Sequence, residues 1–450
     1  MRLNKNTYNM KTNIVVGLDI GTTKIAVIVA RKNEYGKIEI LGHGNAPSAG
    51  IMRGSVMNID KTVESIKTSV EEAELRSGIK IKEVYVGIAG QHIKSFQRRS
   101  EQIRTNEEEI TQVEVEDFVE LMKKIQVEPG EKILHVIPQE FIIDGISGIK
   151  NPVGMSGSTL AANFHIITGQ TSAIKNIMRS VEKAGLVLKD LILEPLASAS
   201  AVLDDKDYLA GVALVDIGGG TTDIAIYHED VLRHTAVIAL GGNIITEDIQ
   251  GGCVIIEPQA KKLKEKFGSA LASENKEDAI ISIPGLRGRP PKEISLKNLS
   301  GIIQARMEDI LENVLYEIKA SGYEKKLIGG VVLTGGGSLL RHVSQLTEFV
   351  THMDTRIGYP NEHLASSENN EPIANPIFAT GVGLVMWGLD KEMPVEIEEE
   401  TIVEETIEET PRKPKKSKVQ GPSLFSKISL GFGKITDVLG DFMNEIEDDK

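Results

Sequence analysis

Apolar residues run unbroken from Val212 to Val215, give way after Asp216 to a turn of Gly218, Gly219, Gly220, Thr221 and Thr222, and return in alternation at Ile224 and Ile226. This pattern predicts a strand, a tight turn and a second strand. The same rhythm occurs earlier: Val16 and Leu18 lead to Asp19, the turn holds Gly21, Thr22, Thr23 and Lys24, and residues 25–29 are again apolar. Two like hairpins in one chain suggest two similar halves closing on one ligand.

Residues 38–44 continue the meander, and Val63, Ile66, Val70 and Ala73 recur at helical spacing among charges, which predicts an amphipathic helix over 60–77. Residues 84–90 read as a strand, and then the rhythm breaks over 92–167. That segment holds a charged stretch at 101–109, a helix over 115–125 and two strand pieces at 133–137 and 140–143, and it reads as an inserted small α/β subdomain. Ile174, Ile177, Met178 and Val181 mark a further helix. Two segments rich in small residues, 194–201 and 376–384, predict helices that a neighbouring backbone can approach closely, the first with Pro195 in its opening turn. Between them lie a stiff basic turn at 283–292, a long helix over 296–321, and a buried strand at 329–333 that opens through Gly335, Gly336 and Gly337.

The chain changes character near residue 393. An acidic block and a Lys/Arg/Pro-rich stretch reach residue 421 without enough apolar surface to fold, which predicts a flexible linker over 391–421. Over 422–450, Phe425, Ile428, Phe432, Ile435, Leu439, Phe442 and Ile446 step by three and four, forming one apolar stripe on a helix. Such a stripe docks on protein or lies in a membrane interface.

At 450 residues, two or more domains are expected. The net charge of -14 argues against general nucleic-acid binding, although much of it sits in the acidic block. Cys253 is the only cysteine, and no Cys/His cluster has zinc-like spacing, so neither an internal disulfide nor a structural metal is expected. The polar first residues do not read as a signal peptide, and no apolar run reaches the roughly 18 residues of a membrane span.

Glycines at the hairpin tips accept positive φ and expose N–H groups, which with the threonine hydroxyls make a donor nest for phosphate oxygens. Asp216, at the mouth of one nest, suits a metal ion or a water, and Asp19 holds the same place in the other. Glu194 falls at a strand-to-helix junction, where a carboxylate caps a helix or orients a water. Neither a P-loop nor a Rossmann glycine fingerprint fits.

The set of two Asp-Ile-Gly hairpins, two small-residue helices and a late glycine turn resembles the actin, heat-shock chaperone and sugar kinase superfamily. Within it the chain resembles the FtsA family of bacterial cell-division proteins, through the hairpins, residues 240–243 and 285–291, the insertion after Gly90 and the terminal helix. The resemblance implies an actin-like two-lobed α/β ATPase fold with an inserted subdomain, 1C, replacing the usual 1B. Residues 13–90 and 167–200 would form the core of lobe I (1A), 91–166 subdomain 1C, 201–245 and 331–390 the core of lobe II (2A), and 246–330 subdomain 2B. It implies ATP and Mg2+ as ligands, with Asp19, Gly21, Thr22, Thr23, Lys24, Gly218, Gly219, Gly220, Thr221 and Thr222 on phosphate. Gly335, Gly336, Gly337, Ser338 and Lys264 would face adenosine, and Asp19 and Asp216 would meet magnesium mostly through water. Glu194 and Asp216 would be catalytic, with slow or negligible turnover. One departure is Lys261, where an acid is expected. The implied partners are further copies of the chain, other divisome proteins, membrane lipid, and the acidic C-terminal peptide of the tubulin-like protein FtsZ, met by Arg289, Lys292 and Arg306. No nucleic acid is implied. The terminal stripe would bind the cytoplasmic face of the inner membrane at the division septum, a peripheral anchor whose acidic end, Glu445 to Asp449, is unfavourable toward anionic lipid. The alternative is an ATP-driven chaperone-like or kinase-like enzyme of the same fold; the first expects a β-rich peptide-binding domain and the second a sugar site, and neither is legible.

Overall fold

The two Asp-Ile-Gly hairpins head two sheets of the same topology. A computed structural model describes residues 13–392 except 106–107, 277, 286–289 and 367–369. The chain divides into two units at residue 394, and every described residue belongs to the first. The expected linker beyond residue 392 and the terminal helix lie outside the described residues, as does Arg289.

In the first sheet, β1 (Ile14–Ile20), β2 (Lys24–Lys32) and β3 (Ile38–Pro47) form an antiparallel meander. A short hairpin of β4 (Ile51–Met52) and β5 (Ser55–Val56) and helix α1 (Ile59–Ser77) then carry the chain over to β6 (Glu83–Ile88), which lies parallel to β1. The predicted stripe folds α1 onto the sheet: Ile66, Val70 and Ala73 are buried, the Asn58 side chain accepts from the Lys61 N–H, and Gly78 ends the helix at φ 68°. After the insertion, α3 (Thr171–Lys183) leads to β11 (Val187–Leu193), giving the order β11-β6-β1-β2-β3. Helices α4 (Glu194–Val202) and α5 (Asp205–Ala210) then cross to the second half.

There β12 (Val212–Ile217), β13 (Thr222–His228) and β14 (Val231–Ile238) repeat the meander, and β17 (Val331–Thr334) and β18 (Thr355–Ile357) repeat the two parallel strands, in the order β14-β13-β12-β17-β18. Helices α6 (Gly242–Cys253) and α7 (Glu257–Phe267), the ribbon of β15 (Ile280–Ile283) and β16 (Lys292–Ser295), and α8 (Leu296–Ala320) stand between β14 and β17. Helix α9 (Val343–Thr351) precedes β18, and α10 (Ala379–Glu392) closes the described chain. This is the two-lobed actin-like α/β plan. The last helix crosses back to the first half, where Leu384, Val385 and Leu389 share a core with Val15, Ala26 and Ile28. No helix among the described residues is long and apolar enough to cross a membrane.

The insertion is a four-stranded sheet of β7 (Ile93–Ile103), β8 (Glu131–Ile143), β9 (Ile146–Ile149) and β10 (Thr159–Gln170), with α2 (Gln112–Met122) packed on it. Phe118 of α2 meets Phe164 edge-on, with ring centroids 5.2 Å apart. The two predicted strand pieces are one strand, β8. The sequence reads as broken at Pro138 because proline cannot donate to a ladder, but the register shifts there instead, leaving Gln139 as a bulge. Bulging aims Gln139 at the second half, where its Nε2 donates to the carbonyls of Leu232 (2.9 Å) and Arg233 (3.1 Å). Ser95 Oγ donates to the Thr235 carbonyl at 3.1 Å and His165 Nε2 bonds Thr235 Oγ1 at 2.9 Å, so the insertion covers the edge strand β14.

Candidate functional site

Asp19 and Asp216 each stand one residue before the end of their strands, β1 and β12. The two hairpin tips touch. A Cβ on Gly220 would come within 2.6 Å of Thr22 Oγ1, and one on Gly219 would overlap Thr23 Oγ1. None of Gly21, Gly218, Gly219 and Gly220 lies in the left-handed region. The expectation that these glycines supply positive φ is therefore corrected: Gly219 and Gly220 are needed because the first tip packs against them, not because the turn demands that conformation. Gly241, Gly242 and Asn243 brace the second tip, since the N–H groups of Gly242 and Asn243 donate to the carbonyls of Gly218 (2.9 Å) and Gly219 (2.8 Å). Thr23 Oγ1 in turn donates to Asn243 Oδ1 at 3.3 Å, which ties the first hairpin to the same brace.

Behind the tips lies a group of acids. Asp19, Asp216 and Asp223 are buried, and Glu194 opens α4 beside them. Burial pushes every one of these carboxyls up. Asp19 rises to about 6, with Lys24 pulling it down and Asp216 pushing it further up. Asp223, the cross-strand partner of Asp216, rises to about 8, through burial and then the charge of Asp216. Glu194 is held well above the ordinary range by burial and by Asp19, Asp223 and Asp216. Asp216 is raised by burial, opposed by hydrogen bonds from Ser198 and Thr380 and by the Lys24 charge. The Lys24 ammonium lies 3.8 Å from the centre of the Phe378 ring, is buried, and has no hydrogen-bond partner; burial lowers its pKa, against the pull of Asp19 and Asp216. Asp223 Oδ1 is likewise buried and unpartnered. Orphaned polar atoms of both signs at one place fit a ligand that brings both charges, a phosphate chain with a divalent cation. Among the described residues no group of three or more His, Cys, Asp or Glu is arranged to hold a metal ion directly.

The other expected ligand residues surround this centre. Gly335, at φ 77°, packs on Asp216 and Ile217, and the Ser338 hydroxyl donates to the Gly335 carbonyl at 2.7 Å, so that hydroxyl braces its own loop. Gly336 is exposed, and Gly337 is buried against Ile217. Thr221 Oγ1 donates to Asp223 at 2.9 Å and Thr222 Oγ1 to the Leu240 carbonyl at 2.9 Å. Lys264 Nζ donates to the Gly242 carbonyl (2.5 Å) and Thr246 Oγ1 (2.8 Å), one turn from the braced hairpin, and burial lowers its pKa to about 8. Lys261 is exposed, 4.0 Å from Glu265. Lys292 and Arg306 lie away from this centre, both against α6: Lys292 Nζ donates to the Val254 carbonyl at 3.3 Å, and Arg306 pairs with Asp248 at 2.6 Å and Asp309 at 2.9 Å.

The residues that sequence patterns did not single out are Ser198, Thr380, Asp223 and His135. Ser198 and Thr380 were hidden in the small-residue helices, where they hold Asp216. Asp223 stands opposite Asp216, where the first hairpin has Ala26 opposite Asp19, in a strand whose alternation reads as core. His135, in the inserted β8, accepts the Leu193 N–H at 3.0 Å, immediately before Glu194; burial lowers its pKa to about 4, so the ring is a neutral acceptor.

Comparison with known proteins adds a relative from Pseudomonas aeruginosa, "Cell division protein FtsA", that is 37% identical over 379 residues, 84% of this chain and 90% of the relative. The chain belongs to the FtsA family. FtsA of Escherichia coli K12 is 36% identical over 88% of this chain and 94% of its own length, and FtsA of Borreliella burgdorferi 39% over 84% and 91%. The family model "Cell division protein FtsA" matches residues 213–383, and "SHS2 domain inserted in FTSA" matches 90–168, the inserted sheet described above. Among solved structures, the "PilM-PilN type IV pilus biogenesis complex" aligns with a TM-score of 0.61 at 17% identity, over 83% of this chain and 98% of that one, which is a likeness of fold.

Proposed function

We propose that this FtsA-family chain binds ATP with Mg2+ between its two hairpins and uses it, with slow or negligible hydrolysis, to control self-association and the tethering of FtsZ filaments to the cytoplasmic face of the inner membrane at the division septum. The observation that carries the nucleotide part is the Lys24 ammonium, buried without a hydrogen-bond partner beside the raised carboxyls of Asp19 and Asp216, where the two hairpin tips meet. Lys24 would meet phosphate oxygens, and Asp19, Asp216 and Asp223 would face the cation through water, as suits an ion reluctant to shed its hydration. When bound, that cation would neutralise charge on the phosphates. Glu194, whose carboxyl burial and the neighbouring Asp19, Asp223 and Asp216 hold above the ordinary range, would hold the attacking water.

Support for the FtsZ peptide comes from a shallow depression on α6 and its C-terminal turn, lined by Glu247, Gln250, Gly251, Val254, Ile255 and Ile256. Lys292 stands against it through the Val254 carbonyl, so an apolar surface and a cation are adjacent, as an acidic peptide with apolar anchors requires. Membrane binding rests on the apolar stripe of Phe425, Ile428, Phe432, Ile435, Leu439, Phe442 and Ile446. Other divisome proteins are further partners on the family reading. The deciding experiment is co-sedimentation of FtsZ with liposomes, with and without this protein and ATP. FtsZ pellets only when the full chain is present, and truncation at Gly421 abolishes it; equal pelleting of the truncated chain sinks the anchor. Asp216→Ala abolishes ATP binding at equilibrium, and intact affinity in that variant sinks the proposed cleft.

A further inference from the structure

We infer that Arg53 reads the terminal phosphate of a bound nucleoside triphosphate and so distinguishes triphosphate from diphosphate, an inference that rests on the nucleotide reading above. Arg53 and Gly54 are the two-residue loop of the β4–β5 hairpin, in which Met52 pairs with Ser55. Both are left-handed, Arg53 at φ 48° and Gly54 at φ 75°. Two-residue loops of this kind favour Asn, Asp or Gly at the first position, because longer side chains are strained there. The turn therefore does not explain an arginine, and strain of this kind gathers where a side chain has other work.

The position of the loop says what that work is. The Gly54 N–H donates to Thr22 Oγ1 at 3.3 Å, and Thr22 is the residue on which Gly220 packs, so the loop stands at the seam of the two phosphate hairpins. Its conformation there is tightly set: a Cβ on Gly54 would overlap the Ala89 carbonyl and come within 2.7 Å of Gly90 Cα. Arg53 is exposed, and no ion pair holds it among the described residues. The seam is short of positive charge, since Asp19, Glu194, Asp216 and Asp223 repel one another while the one buried ammonium, Lys24, answers only Asp19 and Asp216. A triphosphate adds negative charge at its outer end beyond what one divalent cation offsets. A guanidinium, planar and always charged, binds phosphate oxygens in pairs and suits that end.

The test is equilibrium binding of ADP and of a non-hydrolysable ATP analogue, each with Mg2+, to the full chain and its variants. Wild type binds both. Arg53→Ala weakens the analogue at least tenfold and leaves ADP within twofold; Arg53→Lys recovers part of the difference. Arg53→Gly relieves the left-handed strain and raises Tm, yet loses the discrimination as Arg53→Ala does, which a purely structural role of the turn would not produce. Equal effects on the two nucleotides, or none on either, overturn the role of Arg53 while leaving the nucleotide reading intact. A wild-type chain that binds neither nucleotide overturns both.

Discussion

Ser198 donates a 2.7 Å hydrogen bond to Asp216 Oδ2, so a helix that follows the first sheet holds the acid at the tip of the second. The Ser198 hydroxyl also lies 3.0 Å from Thr380 Oγ1 on α10, which itself reaches Asp216 at 3.4 Å. Both small-residue helices therefore grip one carboxylate. Any relative movement of the halves must strain or remake these bonds, which makes Asp216 a natural point for ligand and lobe position to be coupled.

Removing the grip tests this. Ser198→Ala leaves a buried carboxylate short of its best donor and should destabilise the protein by about 1.5–3 kcal/mol. Thr380→Ala alone should cost less, and the double variant should fall short of the sum because the two hydroxyls share one network. Denaturant unfolding gives the stabilities, and an additive result would show that the hydroxyls act separately.

The crossing of α4 and α10 makes a second prediction. A Cβ on Gly383 would overlap the Ala197 carbonyl, with backbone on both sides and nowhere to relax. Gly383→Ala should force the helices apart and cost at least about 1–3 kcal/mol. Gly301, inside α8 and with nothing within 4 Å of an added Cβ, is the control. There the same change should stabilise by up to about 1 kcal/mol through helix propensity.

Acidity offers a third. Asp19 and Asp223 rise from an ordinary 3.8 to about 6 and about 8, so between these limits the native chain holds protons that the unfolded chain has lost. The contribution of these two acids to stability therefore falls as pH rises from about 4 to 8, the reverse of the usual contribution of a paired carboxylate, while His135 and His165, which burial lowers from 6.5 to about 4, contribute the opposite slope over that lower range. A divalent cation with nucleotide competes with those protons, so its affinity should rise over the same window and its binding should release protons. Thermal melts across pH with and without Mg2+ and nucleotide, and calorimetry in buffers of different ionisation enthalpy, measure both effects. Asp223→Asn should flatten the ligand-free fall in melting temperature between about pH 6.5 and 8, above the range of the two histidines, and an unchanged profile in that variant would contradict this charge arrangement.

The seat of the insertion gives a fourth. Gln139→Ala removes both bonds to the Leu232 and Arg233 carbonyls, at a cost of about 1–3 kcal/mol for buried groups left unpaired. Hydrogen exchange should then quicken in β14 while β1 and β2 stay protected. Uniform loss of protection would mean that the insertion supports the whole fold and not one edge.

Much of this was written locally. Alternating and unbroken apolar runs marked both hairpins, helical spacing marked α1 and α3, and the acids Asp19, Glu194 and Asp216 were placed by their own turns and junctions, because strand and helix periods are properties of neighbouring residues. Where Pro138 interrupts β8, local reading failed, since a bulge is decided by the partner strand. The use of Gly219, Gly220 and Gly383 was legible as small size but not as purpose: what each avoids is an atom far away in sequence. Ser198, Thr380, Asp223 and Arg53 looked like packing or surface residues until the two sheets faced each other. Neighbouring residues alone set the elements and the repeated turn chemistry. Which carboxylates share one buried site came from the fold, because burial and the distance between charges are set by residues that the chain brings together from both halves.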